Sequence, residues 1–163
     1  MSAVSTILHP TDFSEHSDFA FQLACSLTRN YGARLVIVHV AMPPVVIYDE
    51  KGLLLPHLKD YRESAKEKLS QLCSPDDKVL VEHRLEEEGE VASIILRVAA
   101  ETKANLIVMG TLGRTGLDRL LFGSVAREVM RKAPCPVLTV RVPKCHQATY
   151  HGHMTSAAVT GFT

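Results

Sequence analysis

The chain has 163 residues, 46% of them hydrophobic and 22% charged, with 18 basic residues against 18 acidic ones. That is enough apolar material for one folded domain with a substantial core, and it excludes a disordered chain. A formal net charge of zero provides no general attraction for nucleic acid or for an anionic membrane, so neither is expected as a partner.

The first run, "VSTILH" (4–9), is short and apolar and predicts a buried strand. "SEHSDFAFQLACSLTRNYG" (14–32) then takes up helical periodicity. Phe19, Leu23 and Leu27 recur at four-residue steps, with Phe21 and Cys25 nearby, and Gly32 suits the left-handed residue that ends a helix. "ARLVIVHVA" (33–41) is rich in β-branched residues and predicts a second strand. Residues 42–56 hold two adjacent prolines and a glycine and read as a loop. "HLKDYRESAKEKLSQLC" (57–73) predicts a helix with a charged outer face, and Pro75 follows its end. "KVLVEHRLE" (78–86) alternates, as a strand near a sheet edge would. "EVASIILRVAAETK" (90–103) predicts a helix, and "ANLIVMG" (104–110) a strand buried on both faces. After a glycine-rich segment come a helix over 124–133 and a last strand over 136–141.

Strands alternating with helices predict an α/β fold: a single domain over residues 1–142, built on an open parallel five-stranded sheet with helices on both faces and right-handed crossovers. Residues 143–163 lose the pattern and read as a C-terminal tail. Cysteines 25, 73, 135 and 145 form no CxxC pair, and their spacing suits neither a zinc site nor a disulfide framework, so a reducing cytoplasm is expected. Cys135, between two prolines, reads as a small packed residue. The start has no basic stretch followed by a long apolar one, so no signal peptide is expected. The apolar runs are too short to span a bilayer. His146, His151 and His153, near Cys145, are metal-ligand types, but a tail supplies nothing to orient them, and no metal site is assigned. His9 and His39 read as ordinary strand-end residues.

In open parallel sheets, ligands bind beyond the carboxyl ends of the strands where the strand order reverses. With the order 3-2-1-4-5, strands one and four are neighbours. The segments "HPTDFS" and "MGTLGRTGLDRLLFGSV" then face one crevice. Gly110 and Gly113 can leave amides uncovered for close approach by an anion. Gly123 and Ser124 open a helix whose free amides and dipole favour a phosphate. A Walker A motif is absent because no glycine in the chain precedes a lysine, and the loop follows the fourth strand, not the first as in a Rossmann fingerprint.

The spacing that does fit is G-x-x-G at Gly110 and Gly113, nine residues, then Gly123-Ser124. With "ILHPTDFSE", "VIVHV" and "APCPVLTVR" in matching strand context, the chain resembles the ATP-binding subgroup of the universal stress protein family over roughly residues 3–142. The resemblance implies a Rossmann-like, adenine nucleotide alpha hydrolase-like fold and a ligand, ATP, with AMP or ADP as alternatives and Mg2+ as its companion. It implies that Asp12 and the Val40 backbone lie at the adenine and ribose, with Pro10 and Thr11 shaping that wall. Met109, Gly110, Gly113 and Arg114 would line the ribose and phosphates, and Gly123, Ser124 and Val125 would hold the phosphates. It also implies a regulatory or signalling role in stress response and a homodimer joined through strand 136–141.

Each residue has a plainer role beside this one. Asp12 stands three residues before Glu15, a helix N-cap arrangement, and Ser124 could cap its own helix. Arg114, Arg119 and Arg127 could be solvated surface charges. The glycine loop carries no lysine, and Asp118 is its one carboxylate, so no catalytic residue is assigned. ATP binding as a regulatory input is the leading reading. A slow ATPase or adenylate-using enzyme, and a dimeric scaffold without nucleotide, are the alternatives.

Overall fold

Strands and helices alternate along the chain in a computed structural model that describes residues 4–42, 61–74, 79–87, 89–111 and 122–142. In order they are β1 (Thr6–Pro10), α1 (Glu15–Tyr31), β2 (Arg34–Ala41), α2 (Tyr61–Gln71), β3 (Leu80–Glu87), α3 (Val91–Glu101), β4 (Leu106–Gly110), α4 (Ser124–Lys132) and β5 (Val137–Val140). The expected tail at 143–163, the loop from residue 43 onward and the central part of the glycine segment lie outside the described residues.

The strands form one parallel sheet in the order β3-β2-β1-β4-β5, as expected. Leu8 of β1 stands opposite Val36 of β2 on one side and Ile107 of β4 on the other. The chain therefore winds outward from β1 in one direction through β2 and β3, and in the other through β4 and β5. The reversal lies between β1 and β4.

Side chains alternate across a strand, so each strand feeds two cores. Leu8, Val36, Val38 and Ile107 pack with Ile95 and Val98 of α3 and Val129 of α4 on one face. Ile7, Leu35, Ile37 and Val108 pack with Ala20 and Ala24 of α1 and Leu69 of α2 on the other. All four of those strand residues on the α1 face are fully buried, so trimming one such isoleucine or leucine to alanine costs about 2–5 kcal/mol.

Helix α1 departs from its expected stripe. Phe19, Leu23 and Leu27 are half-buried, while Ser17, Ala20, Ala24, Cys25 and Thr28 are the buried residues. Small side chains let the helix sit close on the sheet. Gly110 continues this close fit, because a Cβ there would lie 3.0 Å from the backbone carbon and oxygen of His16. The helix starts at Ser14, whose side chain accepts from the Ser17 amide, and ends at Gly32 in the left-handed conformation at φ 60°.

The two edges differ. On β3, Leu80 is exposed, and Glu82, Arg84 and Glu86 pair with Arg34, Glu101 and Arg97. On β5, Leu138 is exposed and Val137, Thr139 and Val140 are half-buried. Cys135 packs against the α3 and α4 core, as read from its proline neighbours, and burial pushes its thiol above the ordinary range.

Candidate functional site

A cavity of about 550 Å3 opens at the carboxyl ends of β1, β2 and β4, where the strand order reverses. That volume suits a small organic ligand.

Its β1 wall is tied to β2 by the main chain. The Thr11 amide donates to the Val38 carbonyl at 2.8 Å, and His39 Nδ1 donates to the Thr11 carbonyl at 2.8 Å. Thr11 Oγ1 accepts from Ser17 Oγ at 2.8 Å and from the Phe13 amide at 3.1 Å. The turn this imposes holds Phe13 in a left-handed conformation, φ 59°, which is uncommon for a residue other than glycine. Its ring lies 4.3 Å from that of His39, centroid to centroid, with Lys68 Nζ 6.0 Å from the Phe13 centroid.

Asp12 is not the N-cap that its spacing from Glu15 suggested. Ser14 holds that position, and Asp12 accepts from both the Ser14 amide, at 3.1 Å, and Ser14 Oγ, at 2.6 Å. A serine caps a helix without help. The carboxylate steadies the cap and also lines the cavity.

The facing wall is built around Thr111. Its amide donates to the Val140 carbonyl at 2.9 Å, and its carbonyl accepts from the Gly123 amide at 2.8 Å. Gly123 is the N-cap of α4, so Ser124 is the first helical residue and not the cap. The first intrahelical bond runs from the Arg127 amide to the Gly123 carbonyl at 3.1 Å. The amides of Ser124, Val125 and Ala126 precede it, and all three residues line the cavity. The positive end of a helix dipole is thereby turned on the crevice.

The residues singled out from sequence converge here. Pro10, Thr11 and Asp12 line the cavity from β1, and Val40 from β2. Met109 and Gly110 line it from β4, and Gly123, Ser124 and Val125 from α4. Gly113 and Arg114 lie outside the described residues, as do Asp118 and Arg119. Arg127 is exposed, in line with its reading as a surface charge.

Among the further lining residues that the sequence reading did not single out are Phe13, His39, Tyr61, Ser64, Lys68 and Thr111. His39, read as an ordinary strand-end residue, stands on the wall itself. Its place near the carboxyl end of a central strand was the available signal. Tyr61, Ser64 and Lys68 recur on one face of α2, but nothing in the sequence says that this face meets the crevice.

His9 behaves differently from His39. It is fully buried under α1, with Nδ1 donating to the Val108 carbonyl at 2.9 Å and its ring 5.7 Å from that of Phe21. Burial lowers its pKa to about 4, against smaller upward pulls from the Val108 hydrogen bond and the Asp12 charge. It is a neutral core residue at neutral pH. Among the described residues no group of three or more His, Cys, Asp or Glu could hold a metal ion, and no helix is long and apolar enough to cross a membrane.

The sequence pattern of the Universal stress protein family matches residues 4–141. A universal stress protein of Methanocaldococcus jannaschii is 36% identical over 142 residues, spanning 85% of this chain and 82% of that one. A universal stress protein of Thermus aquaticus is 39% identical over 136 residues, spanning 83% and 98%. Among solved structures, a universal stress family protein of Burkholderia pseudomallei superposes with a TM-score of 0.65 at 32% identity, covering 86% of this chain and 98% of its own. Two structures at 24% identity share the fold and carry nucleotides. One is a universal stress protein in complex with cAMP, at TM-score 0.56 and covering 85% and 98%. The other, from Archaeoglobus fulgidus, is in complex with dAMP, at TM-score 0.61 and covering 86% and 99%. The match runs from the first strand through the last, takes in both walls of the crevice, and agrees with the strand order found here: the chain belongs to the universal stress protein family.

Proposed function

We propose that this chain binds an adenine nucleotide, ATP foremost with ADP or AMP as alternatives, and serves as a nucleotide-responsive regulatory or signalling module in a stress response. The observation that carries the reading is the convergence of the β1 turn and the α4 N-terminus on one cavity. The family relatives in complex with cAMP and dAMP support an adenine nucleotide as the class of ligand. In this reading Pro10, Thr11, Asp12 and Val40 hold the adenosine half. Met109, Gly110, Gly113 and Arg114 border the ribose and phosphates. Gly123, Ser124 and Val125 present amides and a hydroxyl to phosphate oxygens. Mg2+ would accompany a di- or triphosphate. The working form is a cytoplasmic homodimer paired through β5.

Mass spectrometry of the small molecules released on denaturing the purified protein, followed by calorimetric titration with ATP, ADP and AMP, tests the reading. An adenine nucleotide in the released fraction and ATP binding that is lost in the double variant Gly113→Val with Gly123→Val are the expected results. A folded protein that carries no nucleotide and takes up none of the three would remove it.

A further inference from the structure

The turn after α2 lies against α1 at Cys25. That cysteine sits in the middle of α1 and is 6% exposed, whereas Cys73, two residues past the end of α2, is exposed. The residues on either side of Cys73 both reach the surroundings of Cys25. The Ser74 hydroxyl donates a hydrogen bond to the Cys25 sulfur, and Leu72 packs against the core cluster that contains Cys25. Neighbouring Cα atoms are about 3.8 Å apart, and bridged cysteines hold theirs about 4.4–6.8 Å apart. A serine side chain is as long as a cysteine's, so a thiol one residue before Ser74 needs only a rotation of the turn to reach Cys25. Cys73 Sγ now donates to the Ser70 carbonyl at 3.4 Å, a weak bond at the surface. The Leu72 main chain is held by the Leu69 carbonyl and by His83 Nε2, so the rotation falls on Cys73 and Ser74.

We propose that Cys73 and Cys25 are a reversible redox pair, closed by a peroxide into a disulfide that ties the end of α2 to α1. Exposure divides the roles. The Cys73 thiolate attacks one peroxide oxygen, the O–O bond breaks, and the sulfur becomes a sulfenic acid while the other oxygen leaves as water with the Cys73 proton. Cys25, shielded by burial, which pushes its thiol above the ordinary range, then attacks the Cys73 sulfur. The S–O bond breaks, the hydroxide leaves as water with the Cys25 proton, and the S–S bond forms. The two thiols give up two electrons, and the peroxide is reduced to two waters. A dithiol reverses the change. Transient disulfides of this kind are compatible with a reducing compartment. Neither cysteine lines the cavity, so the pair stands apart from the nucleotide reading, but the helix it would tie down carries Ser64 and Lys68 on the cavity wall.

The full chain, reduced, is treated with graded hydrogen peroxide, alkylated in denaturant, digested without reductant and mapped by mass spectrometry. The expected product is a Cys25–Cys73 peptide pair, with those two alkylation sites lost and Cys135, packed on the opposite face of the sheet, kept. Dithiothreitol should restore both sites. In Cys25→Ala, dimedone should trap Cys73 as the sulfenic acid and no bridge should form. The double variant Cys73→Ser with Ser74→Cys moves the thiol to the position already in contact and calibrates the yield. A wild type whose Cys73 resists peroxide overturns the proposal, as does one whose Cys73 is oxidised but left unlinked or linked to any sulfur other than Cys25. A wild-type yield tenfold or more below that of the double variant also overturns it, because the turn would then not rotate.

Discussion

Ser14 Oγ lies 2.6 Å from Asp12 Oδ1 while accepting the Ser17 amide, so the carboxylate supports the helix cap from behind and does not form it. The two residues should therefore separate by experiment. Ser14→Ala is expected to cost about 1 kcal/mol of stability and to leave nucleotide affinity nearly unchanged. Asp12→Ala should destabilise less and weaken ATP binding at least about tenfold, if its carboxylate accepts from a ribose hydroxyl. Denaturant melts paired with calorimetry check this. Equal ATP affinity in Asp12→Ala and wild type would return Asp12 to a structural role.

Gly110 is pinned by packing. The Cβ of an alanine would lie 3.0 Å from the His16 carbonyl carbon and oxygen and 3.1 Å from its Cβ. Two of those atoms are helix backbone and cannot rotate away, so α1 must shift. Gly110→Ala should lose about 1–3 kcal/mol in chemical denaturation. A variant as stable as the wild type would show that α1 yields freely, against the close seating of Ala20 and Ala24.

Acid should weaken the fold through His9. Its ordinary value is 6.5 and burial lowers it to about 4, so between those limits the unfolded chain binds more protons than the folded one. Stability is whole above pH 6.5, falls as the pH drops toward 4, and has lost the full contribution below that. The gap corresponds to about 3 kcal/mol. His9→Asn removes the titration and keeps a donor for the Val108 carbonyl. Denaturation at pH 7.5 and pH 4.5 should show a smaller decline in this variant than in the wild type, and identical declines would exonerate His9.

The β5 edge predicts an assembly. Leu138 is 38% exposed on a strand whose outer side has no strand neighbour among the described residues. An uncovered apolar edge invites a second copy, and a two-fold axis would set β5 against its own antiparallel image. Light scattering across a dilution series should find a dimer, weakened by Leu138→Lys and by Val140→Lys. A wild type that is monomeric at micromolar concentration would count against this edge.

The element order and sheet topology were legible because strand and helix periods differ and the runs are short and cleanly bounded. The burial of α1 was not. Hydropathy marks Phe19, Leu23 and Leu27, yet close seating on the sheet demands the alanines and Thr28, which carry little signal. The glycine spacing pointed to the crevice at the strand-order reversal and assigned Gly110 to ligand approach, and it gave no sign that His16 also requires the missing Cβ. Thr111 and His39 stayed hidden for a different reason. Their places on the wall depend on hydrogen-bond partners distant in the chain, Thr11 for His39 and both Gly123 and Val140 for Thr111.

The cavity borrows from both sides of the sheet. Ser64, Ala65 and Lys68 reach it from α2, in the layer that covers one face, while Val91, Ile95 and Ser124 reach it from α3 and α4, which cover the other. These two layers are separated elsewhere by the full thickness of the strands. A molecule seated at the crevice would act as a rivet through the rim, touching both layers at once. Prying either layer from the sheet would then require the guest to leave first. Bound ligand should accordingly suppress amide exchange in α2 and α4 together, by an amount that rises with its free concentration.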